Sequence, residues 1–405
     1  MRAFVYAIIL VLLTIGLVGC SAKKASDDAD SEDITTIAEK DTLGNDAEAD
    51  TPADPEIESE AETQADLGAS QEAVTQAATT TPAPEASKVQ TEVMTNFSAD
   101  ASSKSQVVKV TFQSDAIAKN VIGDTSTRRF YIYLPPTYNS SDTNYPVVYF
   151  LHGYGDSPLT FLNSYKKKLD EAFQNGAKEF ILVILDGNNK TGGSFYVNSP
   201  ASGNWEDYIV NEVVTCIDEN YRTIADSNSR GISGYSMGGF GALYLSLRHP
   251  DIFDSTLVFC PGVFAEDDLA AVLSSWRGSS DIKRSYAQAF SPDINITKDY
   301  GNILQDSDIE AQNQIWSDWM NGFSNWGQKL DAYLALNKPL KSIKITYCEG
   351  DYYQWIPGGC EYLIDLLEEK QINHSTDTFT GGHIVPPNAI ENYFVPFFGE
   401  TLTYQ

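Results

Sequence analysis

Ser236 sits in Gly231-Ile232-Ser233-Gly234-Tyr235-Ser236-Met237-Gly238-Gly239-Phe240-Gly241, so that five glycines crowd around one hydroxyl. Glycine costs backbone entropy in helices and strands, and a cluster of it needs a geometric reason. Gly234-Tyr235-Ser236-Met237-Gly238 fits G-x-S-x-G, the pattern of a strand-to-helix turn so tight that side chains two before and two after the serine would collide. The chemistry this suggests is attack by a serine hydroxyl on an acyl carbon. A hydroxyl needs a base to take its proton, an acid to orient that base, and fixed N–H donors for the oxyanion that forms.

Four histidines are available as the base. His249 precedes Pro250 at the end of the helix expected after Ser236 and reads as a helix-terminal residue. His374, in Gln371-Ile372-Asn373-His374, reads as a turn residue. His383 lies in Thr380-Gly381-Gly382-His383-Ile384-Val385-Pro386-Pro387, after the strand-like run 375–379, where glycines leave its imidazole uncovered. It is the expected base. Among many carboxylates, Asp351 in Glu349-Gly350-Asp351 lies just past the strand-like run 342–348 and is the first choice as acid, with Glu349 second. The expected oxyanion donors are the amide of Met237 and the amide of Tyr154 in Leu151-His152-Gly153-Tyr154-Gly155-Asp156. His152 then supports that turn rather than acting as a base.

These residues need elements to hold them. Residues 107–112 and 129–134 are β-branched and aromatic, and 147–151, 180–185 and 257–259 are apolar without alternation. Continuous apolar runs suit strands covered by helices on both faces. Residues 230–234 read as a short strand and 237–247 as a helix rich in small residues, with further helix-like stretches at 206–220 and 361–370. Strand–helix alternation implies an α/β protein with a mostly parallel sheet. Between about 263 and 340 the alternation stops, and this stretch carries Trp276, Trp316, Trp319 and Trp326. A structureless loop of that length is out of keeping with a compact domain, so a helical insertion near the active site is expected.

The first twenty residues differ in kind. Arg2, an apolar run from Ala3 to Val18 and Leu17-Val18-Gly19-Cys20 together have the form of a secretion signal and resemble a bacterial lipobox. That implies lipidation of Cys20 and an extracytoplasmic, membrane-anchored protein. Residues 21–104 hold 20 Asp and Glu against 5 Lys and Arg, with Phe97 the only aromatic. Such a segment reads as an acidic disordered tether, leaving 105–405 as the enzymatic domain. The formal net charge of −29 argues against nucleic acid as a partner. Besides Cys20 the chain has Cys216, Cys260, Cys348 and Cys360. They lack paired C-x-x-C spacing, so no metal site is expected, and no cofactor is called for. Two disulfides, with Cys348–Cys360 the first pair to test, stand against four buried thiols.

Together these residues resemble the esterase D-like branch of the α/β-hydrolases, which includes feruloyl and acetyl xylan esterases of carbohydrate esterase family 1, S-formylglutathione hydrolases and mycolyltransferases. The resemblance rests on YIYLPPTYN, YPVVYFLHGYGD, SFYVNSPASGNWEDYIVNEVV, ENYRTI and GYSMGGFGALYLSLRHPDIF, and resumes with TYCEGDYY and GGH. It implies an α/β-hydrolase fold with Ser236 as nucleophile, His383 as base, Asp351 as acid, and Tyr154 and Met237 as amide donors. Ile384-Val385-Pro386 follow the histidine where related sequences often carry an aromatic, so an aliphatic rim is expected. Tyr154, Trp205, Trp355 and the tryptophans of 263–340 are candidates to stack on a sugar or phenolic acid. The leading expectation is a serine esterase acting on acetyl or feruloyl groups of carbohydrate. Acyl transfer to a sugar, as in mycolyltransferases, is the alternative within the same machinery. A non-catalytic surface binding protein on a hydrolase scaffold is the alternative outside it.

Overall fold

The computed structural model describes residues 88–97, 104–304 and 313–405. The apolar leader, Cys20 and most of the acidic tether lie outside the described residues. Nine strands form the central sheet: β1 (Val89–Val93), β2 (Gln106–Gln113), β3 (Thr127–Leu134), β4 (Val147–Leu151), β5 (Ile181–Leu185), β6 (Arg230–Tyr235), β7 (Ser255–Phe259), β8 (Ser342–Cys348) and β9 (His374–Phe379). Their spatial order is β1-β2-β3-β5-β4-β6-β7-β8-β9. Pairings among β1, β2, β3 and β5 are antiparallel. From β5 onward every pairing is parallel.

The apolar runs have the burial expected of a sheet covered on both faces. In β4, Val147, Tyr149 and Leu151 pack into one core and Val148 and Phe150 into the other. β5 divides the same way, with Ile181, Val183 and Leu185 on the first face and Leu182 and Ile184 on the second. Side chains of successive strand residues point to opposite faces, so a strand that is apolar throughout supplies both layers. Helix Met237–Arg248 covers the first face, and helices Pro158–Gln174 and Val395–Thr401 cover the second.

Two expectations are corrected here. The acidic composition runs to residue 104 and suggests a disordered tether that far, but Val89–Val93 pairs antiparallel with β2, Val93 lying opposite Val108. Val89, Thr91 and Val93 are β-branched residues at every second position, which suits a strand, and pairing at a sheet edge uses backbone groups. The helix read at 206–220 is interrupted by a π-helical turn over Tyr208–Val213 before Val214–Asn220 resumes as α-helix. The described residues of 263–340 form four α-helices, as expected of a helical insertion: Leu269–Ser275, Ser280–Phe290, Asn313–Met320 and Trp326–Ala335. Cys216, Cys260, Cys348 and Cys360 are all buried free thiols, so the Cys348–Cys360 pair is not joined.

Candidate active site

Because β4, β6, β7, β8 and β9 run parallel, their C-terminal ends open on one edge of the sheet, where ligands of open α/β sheets bind. The loops leaving those ends carry the residues singled out above.

Ser236 follows the last residue of β6 directly and takes φ 55° and ψ −116°, a conformation that costs a non-glycine residue about 1–3 kcal/mol. Its backbone is fixed from both sides. Its N–H donates to Phe259 O at 3.0 Å, and its carbonyl accepts from Gly262 N–H at 2.9 Å. The flanking glycines are sterically required. A Cβ on Gly238 would lie 2.0 Å from the carbonyl oxygen of Leu151, and one on Gly234 would lie 2.1 Å from that of Gly238.

His383 hangs from the loop after β9, which Gly381 and Gly382 turn with φ of 139° and 89°. The loop is tied down twice: Gly382 N–H donates to Cys348 Sγ at 3.2 Å, and the Tyr235 hydroxyl donates to the His383 carbonyl at 2.6 Å. The imidazole Nε2 lies 2.9 Å from Ser236 Oγ, and Nδ1 lies 2.7 Å from Asp351 Oδ2. Asp351 is fully buried, and its other carboxylate oxygen accepts from Tyr353 N–H at 2.8 Å. The second-choice acid, Glu349, is exposed. A carboxylate held by an amide and an imidazole fixes the tautomer in which Nδ1 carries the proton and Nε2 faces the hydroxyl.

The amides expected to receive an oxyanion flank this hydroxyl. Met237 opens a helix, whose first N–H groups have no intrahelical acceptor. In the β4 loop, Gly155 N–H donates to Gly192 O and Asp156 N–H to Gly153 O, which leaves the Tyr154 amide without an acceptor among the described residues. A Cβ on Gly153 would come within 3.4 Å of Ser236 Cβ, so this loop lies against Ser236. His152 is buried behind the turn. Its Nε2 accepts from Gly187 N–H at 3.0 Å, so Nδ1–H donates to Gly153 O at 2.7 Å, and both ring nitrogens are committed to the turn. His249 lies elsewhere, with Nε2 2.6 Å from Glu206 Oε1, and His374 Nδ1 meets Ile372 O at 2.9 Å.

Ser236, Tyr154, Met237 and His383 line a cavity of about 380 Å³ whose walls include Phe195, Trp276, Phe323 and Trp355. Trp355 therefore stands where expected, and Trp276 is the tryptophan of the 263–340 stretch that reaches the cavity. Trp205 does not line it, and its candidacy for substrate binding is withdrawn. It is fully buried, with its indole N–H donating to Ser202 O at 2.9 Å and the Arg128 guanidinium 4.5 Å above its ring. Trp319 and Trp326 are likewise fully buried. Tyr235 and Tyr353 were missed by the sequence reading. Tyr353 places its ring edge-on to His383, centroids 5.1 Å apart at 89°. Its position two residues after Asp351 was the one available cue.

Cys260 Sγ, Asp351 and His383 have donor atoms within 4.8 Å of one another. Burial, with Asp351 adding to it, pushes the Cys260 thiol well above its ordinary range, so it stays protonated. The carboxylate and imidazole are already bonded to each other. The group reads as a thiol backing a hydrogen-bonded pair rather than as a metal cradle.

Residues 125–353 match the model of a family described as "Putative esterase". An esterase of Mycobacterium tuberculosis is 31% identical over 129 residues, 31% of this chain and 27% of that protein. An endo-1,4-beta-xylanase/feruloyl esterase of Xylanibacter ruminicola is 27% identical over 172 residues, covering 40% of this chain and 22% of that protein. The S-formylglutathione hydrolase of Arabidopsis thaliana is 31% identical over 152 residues, covering 33% and 51%. The matches thus span between about a fifth and a half of the length of these relatives. Among solved structures, a ferulic acid esterase superimposes with a TM-score of 0.50 at 20% identity, over 74% of this chain and 99% of that one. An S-formylglutathione hydrolase of Staphylococcus aureus gives 0.51 at 16%, over 74% and 100%. These likenesses establish the α/β-hydrolase fold, and with the family match over more than half of its length the chain belongs to this esterase family.

Proposed function

We propose that this protein hydrolyses carboxylic esters through an acyl-enzyme formed on Ser236. The observation that carries this reading is the run of hydrogen bonds from Ser236 Oγ to His383 Nε2 and from Nδ1 to Asp351, 2.9 and 2.7 Å long. His383 takes the hydroxyl proton as Oγ attacks the acyl carbon, and Asp351 stabilises the imidazolium. The oxyanion forms beside the amides of Tyr154 and Met237, a contribution of about 3–4 kcal/mol for each donor. Collapse of the intermediate expels the alcohol, which leaves with the proton from His383. Water activated by the same imidazole then releases the carboxylic acid and restores Ser236.

The acyl group proposed is small or aromatic and is borne on carbohydrate, feruloyl before acetyl. The aromatic walls of the cavity (Phe195, Trp276, Phe323, Trp355) favour a planar ring, and a relative named endo-1,4-beta-xylanase/feruloyl esterase points the same way. A lipobox ending at Cys20 supports an extracytoplasmic enzyme held to the membrane by lipid, which suits a polymeric substrate.

The test is a panel of feruloylated and acetylated xylan fragments and S-formylglutathione, with product analysis in the presence of free sugar. Highest kcat/KM on feruloyl esters with free ferulate as product supports the reading. A preference for the thioester, or transfer of the acyl group to sugar in place of water, refutes it.

A further inference from the structure

A second cavity of about 450 Å³ lies between the end of helix Met237–Arg248 and helix Trp326–Ala335. Its lining includes Tyr244, Arg248, Gln328, Lys329, Tyr333 and Leu336, and no residue lines both this cavity and the one at Ser236. The aromatic contacts of Phe240 with Phe323 and Trp326, at 4.8 and 6.0 Å, form the partition between them.

Lys329 is the anomaly in this cavity. Its ammonium donates to the Ser324 carbonyl and sits 5.4 Å from the Trp326 ring. An ammonium has three N–H donors, and among the described residues no carboxylate pairs with this one. Burial alone pushes its pKa down to about 7. The nearby cation, Arg248, is already matched: its Nε donates to Glu206 Oε1 at 2.9 Å, and Glu206 also receives His249. Lys329 is half-buried, and a partly desolvated lysine without a counter-charge carries a cost. An acceptor that entered the cavity bearing a negative charge would offset that cost and fill the open donors.

We infer that this cavity is a second binding site, separate from Ser236, for a ring-sized carboxylate whose oxygens bond Lys329 while Tyr244, Tyr333 and Leu336 line its apolar body. Two sources offer that chemistry: an acidic sugar unit of a polymer, and the carboxylic acid that an esterase releases. The inference rests on the esterase reading only for this choice of probes.

The experiment uses the full chain with Ser236 blocked by a fluorophosphonate, so that the first cavity is occupied, and titrates glucuronate and ferulate calorimetrically. One ligand per chain is expected. Lys329→Met should weaken it at least about tenfold, and Lys329→Arg, which keeps the charge, should stay within about threefold. Binding of glucuronate identifies the polymer as the source, and binding of ferulate alone identifies the product. In the wild-type protein the bound ligand should also slow modification of Lys329 by an amine-reactive sulfonate, read by peptide mass, which does not depend on a variant folding. Absence of binding by both probes, an unchanged affinity in Lys329→Met, or an unprotected Lys329 overturns the inference. Failure of Ser236 to take the label would count against the esterase reading instead, and the Lys329 comparison would then be made on unlabelled protein.

Discussion

Gly234 and Gly238 face each other across Ser236 so closely that a methyl group on the first would lie 2.1 Å from the carbonyl oxygen of the second. The two glycines set how sharply the chain turns, and hence how far the hydroxyl projects. Gly238→Ala, which meets the Leu151 carbonyl oxygen at 2.0 Å, encounters backbone that cannot swing aside. It is expected to cost about 1–3 kcal/mol or more. Urea unfolding should show the loss, together with activity reduced beyond what the fraction unfolded explains.

Replacing Ser236 should separate chemistry from stability. Ser236→Ala is expected to lower hydrolysis of p-nitrophenyl acetate by about 10⁴-fold or more while thermal unfolding hardly moves. Asp351→Asn keeps the volume but favours the wrong imidazole tautomer, and a loss of about 10⁴ in kcat is expected. A variant of either residue that kept more than a tenth of wild-type activity would count against the mechanism.

Tyr235 acts on His383 through the backbone, its hydroxyl donating to the carbonyl at 2.6 Å. Tyr235→Phe removes one hydrogen bond, worth about 0.5–1.5 kcal/mol, and loosens the loop that aims the imidazole. A fall of about tenfold in kcat with KM nearly unchanged is expected. Steady-state kinetics checks it, and a raised KM with kcat unchanged would assign Tyr235 to substrate binding instead.

Trp355 and Trp205 should behave differently. Trp355 lines the cavity, so Trp355→Ala should raise KM for feruloyl esters more than for acetyl esters. Trp205 is fully buried away from it, and Trp205→Ala should cost about 3–5 kcal/mol of stability with no change in the feruloyl-to-acetyl ratio.

Glu206 supplies a pH-dependent contribution. Burial raises its pKa, but hydrogen bonds from His249 and Arg248 outweigh burial and hold the carboxyl below its ordinary value of 4.5. A depressed folded-state pKa gives stability that is fully present above the unfolded value and is lost as pH falls through the folded one. Denaturation followed downward from pH 5 should therefore show wild type losing stability more steeply than Glu206→Gln. Parallel curves would contradict the assignment.

The elbow, the buried strands and the loops bearing Asp351 and His383 were legible in the chain because short-range rules govern them. Apolar runs report strands covered on both faces, and glycines two before and two after a serine report a turn that leaves no room for Cβ. Solvent access and partnership between distant segments carry no such local mark. Both Glu349 and Asp351 lie in the loop after the same strand, with Asp351 preferred in sequence, and only packing shows that one is exposed and the other buried. Likewise, 148 residues separate Tyr235 from the carbonyl it holds, Trp205 turns into the core while Trp276 reaches the cavity, and Val89–Val93 finds an edge to pair with. Nothing local to Lys329 in the sequence marks it, and only the tertiary fold half-buries its ammonium beside a cavity without supplying an acid.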